Sequence, residues 1–409
     1  MNIMNMLKHG FLYLTVLCLV MIGNAAYAGK KQSSPGVTDR EIKIGNTMAY
    51  SGPASSYSKL AKTMAAYFDM LNAEEGGING RKINFISLDD GYSPPKTKEQ
   101  IRRLVEKEKV LLIVTPFGTP TNLAVIRYLN KKKVPQLFPT GGFSTWNQSK
   151  KYPWTVGFSP GYNAEGKIYA KHVLKNHPHA KVAVLYQNDD SGRDLYDGFK
   201  KTVEAENPSM QIVAESYEST SPTVDSQIIK LKASGANVFI NFTLAKFGAQ
   251  AIRKIYELDW HPEHYITYAA AFISATFRPA GFEKSQGIIS AAYYMDPTNP
   301  AYKNNPGIVK WRKFMSKYYP KGDQTAGLNV YGYLNAELLA HALKMCGDNL
   351  TRQNVMKQLE SIRGLQLDTM IKGVKINISP TNHSPIQSVQ LIQFKGEGFV
   401  PIGDIISAN

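Results

Sequence analysis

Two periodicities of apolar and polar residues alternate along this chain. Glu41–Met48 (EIKIGNTM) switches character at every step and predicts a strand. Tyr57, Leu60, Ala61, Met64, Phe68 and Leu71 then recur at helical spacing. Glu75-Gly76-Gly77 ends that helix, and Asn79-Gly80 turns the chain into a strand over Ile83–Leu88. After a helix over Lys96–Lys107 comes the most informative stretch, Val110–Gly142. Val110–Val114 is continuously apolar, as expected of a strand buried on both faces of a parallel sheet. It runs into a loop of small and hydroxyl residues, Thr115–Pro120, and then a helix striped by Leu123, Ile126 and Leu129. Val134–Phe138 repeats the pattern and ends in Thr140-Gly141-Gly142.

Two successive strands therefore deliver hydroxyls, glycines and free backbone N–H groups to one sheet edge. In open α/β sheets, ligands bind beyond that edge. Helix N-termini there hold an anion such as a carboxylate without a lysine or arginine.

Tyr152–Pro160 reads as a crossing segment, after which a second strand–helix series begins. Its strands are Lys181–Gln187, Gln211–Tyr217, Asn237–Thr243 and His264–Ala270, with helices near 162–177, 192–206, 223–234 and 246–258. Further on, the pattern predicts a strand over Gly287–Met295 and helices near 306–318, 327–346 and 351–361. Strands over Val374–Ile378 and Ser388–Phe394 finish the chain. This alternation predicts an α/β protein with parallel, doubly wound sheets. A length of 409 residues suits two domains.

The N-terminus reads differently. Lys8, the apolar run Phe11–Ile22 and the Ala26-Tyr27-Ala28 pattern form a cleavable signal peptide over residues 1–28. An exported, periplasmic protein is expected. Cys18 leaves with that segment, so Cys346 is left alone and no intramolecular disulfide forms. The net charge of +16 could favour anionic partners. The basic residues are scattered in short runs such as Lys131-Lys132-Lys133, which argues against nucleic acid.

No H-E-x-x-H, Walker A loop or G-x-G-x-x-G is present, so no enzyme chemistry and no cofactor are expected. His177-Pro178-His179 and His261-Pro262-Glu263-His264 read as surface loops rather than metal sites, and Asp89-Asp90 as strand-end capping. Cys346, in helical register with Leu339 and Leu343, reads as core.

Several stretches together resemble one family. They are DREIKIG at Asp39–Gly45, Ser51-Gly52-Pro53, GGINGR at Gly76–Arg81, DDGY at Asp89–Tyr92, KVAVLYQNDDSG at Lys181–Gly192 and LKASGA at Leu231–Ala236. In this order they resemble the type I periplasmic binding proteins of branched-chain amino-acid ABC importers. The resemblance implies two lobes joined by a three-segment hinge and closing on a ligand. One lobe would comprise 37–158 with 292–375, the other 159–291 with 376–409. It also implies a membrane permease as partner and a monomeric binding protein. A periplasmic sensor is the alternative partner.

Matched position by position, the resemblance places ligand contacts at Ser51, Tyr57, Gly118, Thr119, Thr140, Gly141 and Gly142. From the second lobe it adds Tyr162, Ser191, Leu244 and Ala269, with Tyr293 near a crossing. Amino-acid-binding members carry acidic side chains where Tyr162 and Ala269 stand. The anion loop without an ammonium partner implies a small carboxylate: an aromatic, 2-oxo or hydroxy acid. Tyrosine is abundant, at 23 residues, and Tyr57, Tyr162, Tyr268 and Tyr293 suit a flat ring. Asp189 or Asp190 could instead supply the missing acid and restore amino-acid binding.

Overall fold

The computed structural model describes residues 34–407. The predicted signal peptide lies outside them. Strand β1 (Glu41–Met48) is followed by helix α1 (Lys59–Glu74), β2 (Lys82–Asp89), α2 (Pro94–Arg102), β3 (Leu112–Val114), α3 (Thr119–Lys131), β4 (Gln136–Leu137) and β5 (Thr155–Val156). These five strands form one parallel sheet in the order β2-β1-β3-β4-β5.

The second series runs α4 (Tyr162–Asn176), β6 (Val182–Gln187), α5 (Asp190–Glu206), β7 (Ile212–Tyr217), α6 (Asp225–Ala233), β8 (Val238–Phe242), α7 (Ala245–Glu257), β9 (Glu263–Ile266) and β10 (Ile289–Ala292). The chain then returns to the first lobe as α8 (Pro306–Tyr318), α9 (Gly327–Met345) and α10 (Arg352–Leu359), with α8 and α9 packed on α1. It crosses back as β11 (Ser388–Lys395) and β12 (Gly398–Ser407). The second sheet has the order β12-β11-β10-β9-β8-β6-β7.

The structure departs from the sequence reading in several places. Val374–Ile378 is not a strand. Val374, Ile376 and Ile378 alternate inward into the core, but only one bridge forms, between Leu365 and Ile376. One-sided burial alone produced the alternation. β12 was not expected. It pairs antiparallel to β11, which itself runs antiparallel to β10, so the second sheet is mixed. β3 and β4 are shorter than their apolar runs. Thr115 and Phe138, immediately after them, adopt left-handed φ values of 47° and 58°, which bend the chain out of the ladder. Thr115 is held there by Asn46 Nδ2, which donates to its carbonyl at 2.8 Å. Strain of this kind collects at functional edges, and both bends lead directly into the loops described below.

The first and third crossings are tied together. Gly157 N–H donates to the His383 carbonyl at 2.9 Å. The buried His383 ring faces the Thr155 carbonyl at 2.7 Å and Glu360 at 3.1 Å. The lobes share several bonds across the cleft. Ser144 N–H and O–H donate to Asp194 at 2.8 and 2.7 Å, Gln187 Nε2 donates to the Tyr92 hydroxyl at 3.1 Å, and Lys59 Nζ donates to Ser274 Oγ at 3.1 Å. This is a closed arrangement.

Candidate functional site

A cavity of ≈ 60 Å³ lies between the lobes, at the C-terminal ends of the first-sheet strands. A single water takes roughly 10–15 Å³ of such space, so the closed cleft has room for one small ligand. Of the expected residues, Tyr57, Gly118, Thr119, Thr140, Gly141, Tyr162, Ser191, Leu244, Ala269 and Tyr293 line it. Ser51 and Gly142 do not.

Ser51 is exposed. It donates its hydroxyl to Asp89 Oδ2 at 2.7 Å and its amide to Oδ1 at 3.2 Å. Burial raises the Asp89 carboxyl, but bonds from Ser51, Gly91 N–H and Lys96 outweigh it and hold the group below its ordinary value. Ser51 therefore caps the end of β2 instead of facing the cleft. Gly142 backs the loop from outside the cavity. Its carbonyl accepts the Tyr162 N–H at 2.7 Å, joining the first-lobe loop to the start of α4.

The two small-residue loops are bonded to each other. Thr140 Oγ1 accepts the Gly118 N–H at 2.7 Å. A hydroxyl that accepts in this way keeps its own proton to donate. No side chain caps the start of α3, where Gly118 sits at φ 89°. The Thr119 hydroxyl, on a residue 2% exposed, has no hydrogen-bond partner among the described residues. The glycines are steric necessities here. A Cβ on Gly118 would lie 2.3 Å from the Tyr92 ring, and one on Gly141 (φ 86°) would lie 2.4 Å from the Tyr162 hydroxyl. Each bare glycine face is covered by a tyrosine ring.

Removing the Thr140 hydroxyl would strand the buried Gly118 amide and delete one donor. Thr140→Val is expected to weaken ligand binding about tenfold or more, from the ~1–3 kcal/mol cost of an unpaired buried group. Titration calorimetry checks this. Unchanged affinity would place the ligand's contacts elsewhere.

Tyr57 plays a different part from a simple contact. Its hydroxyl donates to the Ala269 carbonyl at 2.9 Å and accepts the Ala245 N–H at 3.0 Å, both across the cleft. It latches the first lobe to the second. Sequence reasoning missed Tyr92, Phe117, Ser159, Phe272, Tyr294, Leu328 and Tyr331, which also line the cavity. Leu328 and Tyr331 stand on α9, far along the chain, where helical spacing marked only a core face.

Among the described residues, no acidic, basic or histidine side chain lines the cavity. Asp190 is exposed. Asp189 does not line the cavity and caps α5, its Oδ1 accepting from Ser191 N–H and Oγ and from Gly192 N–H at 2.6–3.0 Å and its Oδ2 from Gln187 Nε2. Among the described residues, no cluster suits a metal ion. His264 is buried on β9, contrary to its reading as a surface loop, and burial pushes its ring down to about 3.

Glu165 lies one turn beyond Tyr162, behind the cavity wall. It accepts from Tyr268 N–H and Tyr169 Oη at 2.7 Å and from Thr267 Oγ1 at 2.9 Å. Burial pushes its carboxyl from 4.5 up to about 7, against those bonds. The folded protein therefore holds a proton that the unfolded chain releases over this window. The contribution is complete below the unfolded value and is lost as pH rises through about 7. Glu165→Gln, which keeps an acceptor for Tyr268 and a donor for Thr267, is expected to gain up to about 3 kcal/mol relative to wild type between pH 5 and 8. Denaturant titrations at both pH values test this, and parallel pH profiles would refute it. Glu337, also raised to about 7, adds a slope of the same sign to both proteins.

The family profile described as periplasmic binding protein matches residues 41–398. The chain belongs to that family. Among curated proteins, the "Amino acid binding protein" of Pseudomonas aeruginosa is 20% identical over 67% of this chain and 70% of its own length. Among solved structures, a branched-chain amino-acid ABC transporter protein from Thermus thermophilus with bound valine superposes with a TM-score of 0.81. It is 17% identical, over 91% of this chain and 97% of that one. A fatty-acid ABC transporter substrate-binding protein from Thermomonospora curvata gives 0.78 at 19% identity, over 92% and 95%. At such identities these structures establish the fold, that of a type I periplasmic binding protein. Among the described residues of this binding protein, no helix is long and apolar enough to cross a membrane.

Proposed function

We propose that this protein is the extracytoplasmic solute-binding component of an ABC importer. It captures a small carboxylate that lacks an α-ammonium group and delivers it to a membrane permease. The observation that carries the ligand class is the neutral lining: hydroxyls, aromatic rings and backbone N–H groups, with no carboxylate. Burying an ammonium without an anionic partner costs several kcal/mol. A carboxylate is served by the uncapped start of α3 and the Thr119 and Thr140 hydroxyls, each charge-assisted bond contributing about 1.5–3 kcal/mol. Aromatic, 2-oxo and hydroxy acids fit this chemistry and the small volume. A long acyl chain does not fit the closed cleft.

A second reading, an amino-acid-binding protein of the same transporter class, is favoured by the names of the Pseudomonas and Thermus relatives. Calorimetry separates the two. Phenylpyruvate, benzoate and 4-methyl-2-oxopentanoate are expected to bind, and phenylalanine and leucine are not. The reverse pattern would replace the first reading with the second and leave transport intact.

A further inference from the structure

We propose that Tyr162 selects the ligand's charge, its phenol O–H donating to the anionic oxygen held in front of the Thr140–Gly141 loop. This rests on the carboxylate reading above. Tyr162 is 7% exposed and lines the cavity, yet among the described residues its hydroxyl has no hydrogen-bond partner. The hydroxyls of Tyr57, Tyr92, Tyr268, Tyr293 and Tyr331, on the same cavity wall, are all bonded within the protein. Tyr294 is unbonded too, but it is only half-buried and its ring lies on Tyr331.

The position of the Tyr162 hydroxyl is fixed from three sides. Its amide donates to the Gly142 carbonyl at 2.7 Å, which anchors the first turn of α4 to the loop. Its ring stacks on Tyr268, with centroids 5.8 Å apart and planes at 30°. Its oxygen lies against the bare face of Gly141, where a Cβ would come within 2.4 Å. Burial, with Glu165 behind the wall, drives the phenol well above its ordinary value, so it stays protonated and donates. The Thr140 hydroxyl has its own proton free on the same loop. Two hydroxyl donors thus stand at the same loop of a cavity with no carboxylate in its lining, and an unpaired buried donor is costly. An anion satisfies them, whereas an ammonium, itself only a donor, does not.

The test is Tyr162→Phe, which deletes one oxygen and keeps the ring. Calorimetry would use benzoate and phenylpyruvate, with benzamide as the uncharged counterpart of benzoate and phenylalanine as the ammonium-bearing counterpart of phenylpyruvate. The variant is expected to bind both acids about tenfold or more weakly and benzamide less than about threefold more weakly, because a charged acceptor gains most from the lost bond. An unchanged melting temperature of the unliganded variant would confirm that packing is intact. Equal loss for benzoate and benzamide would overturn the inference, and so would acids bound as tightly as by the wild type. In both cases the carboxylate reading would stand. Wild-type protein that binds phenylalanine but neither acid would overturn both.

Discussion

Gly142→Ala is expected to lower ligand affinity roughly a hundredfold while leaving each lobe folded. Gly142 has no left-handed φ, so its backbone suits alanine, and the effect is purely steric. A Cβ there would lie 1.8 Å from the Pro160 carbonyl oxygen, 2.6 Å from the Tyr268 hydroxyl and 2.8 Å from the Tyr162 amide. Two of these atoms are backbone and cannot rotate away. The Gly142–Tyr162 bond would break and the first-lobe loop would be pushed off α4. Overpacking costs about 1–3 kcal/mol, and at the upper end it would leave the closed state about 1% populated. Apparent affinity falls by the same factor. Calorimetry gives the affinity, and small-angle scattering with and without ligand gives the compaction. An alanine variant that binds and compacts like the wild type would show that the loop and α4 do not move as one unit on closure.

Gly198→Ala should produce the largest loss of stability, about 3 kcal/mol. Helices α4 and α5 cross at two bare glycines. A Cβ on Gly198 would lie 2.1 Å from the Asn163 carbonyl, and one on Gly166 would lie 2.3 Å from the Leu195 carbonyl. In an isolated helix, alanine would be favoured over glycine by about 1 kcal/mol. Here the clash outweighs that gain, because both contacts are to backbone and the helices must separate, opening the packing around Phe199 and Tyr169. Thermal unfolding should drop by ~5 °C or more. A variant as stable as the wild type, or more so, would mean that the helix pair relaxes without loss of packing.

The sequence by itself determined the alternation of strands and helices, because buried faces impose periods of 2 and 3.6 wherever an element packs on one side. Those periods located β1, α1, β6 and α5 to within a few residues. It also determined the two loops, since Gly118, Thr119 and Thr140–Gly142 announce themselves as small and hydroxyl residues after apolar runs. Periodicity failed at Val374–Ile378, where alternation reports burial on one side and says nothing about hydrogen-bond partners. It also missed β12, whose pattern is mostly exposed and whose place is set by β11.

What the tertiary structure alone decided is which side chains share the cavity and which are already engaged. Ser51 is spent on Asp89, Asp189 on its own helix, and the Tyr57 hydroxyl on the opposite lobe. Tyr331 reaches the site from more than 200 positions beyond Thr119. Local spacing carries no information about such pairings, because they arise when two sheets, interleaved by three crossings of the chain, close on one another. The neutrality of the cavity is likewise a property of the assembled lining, from which the nearby carboxylates of Glu165 and Asp189 are held back by hydrogen bonds within the protein.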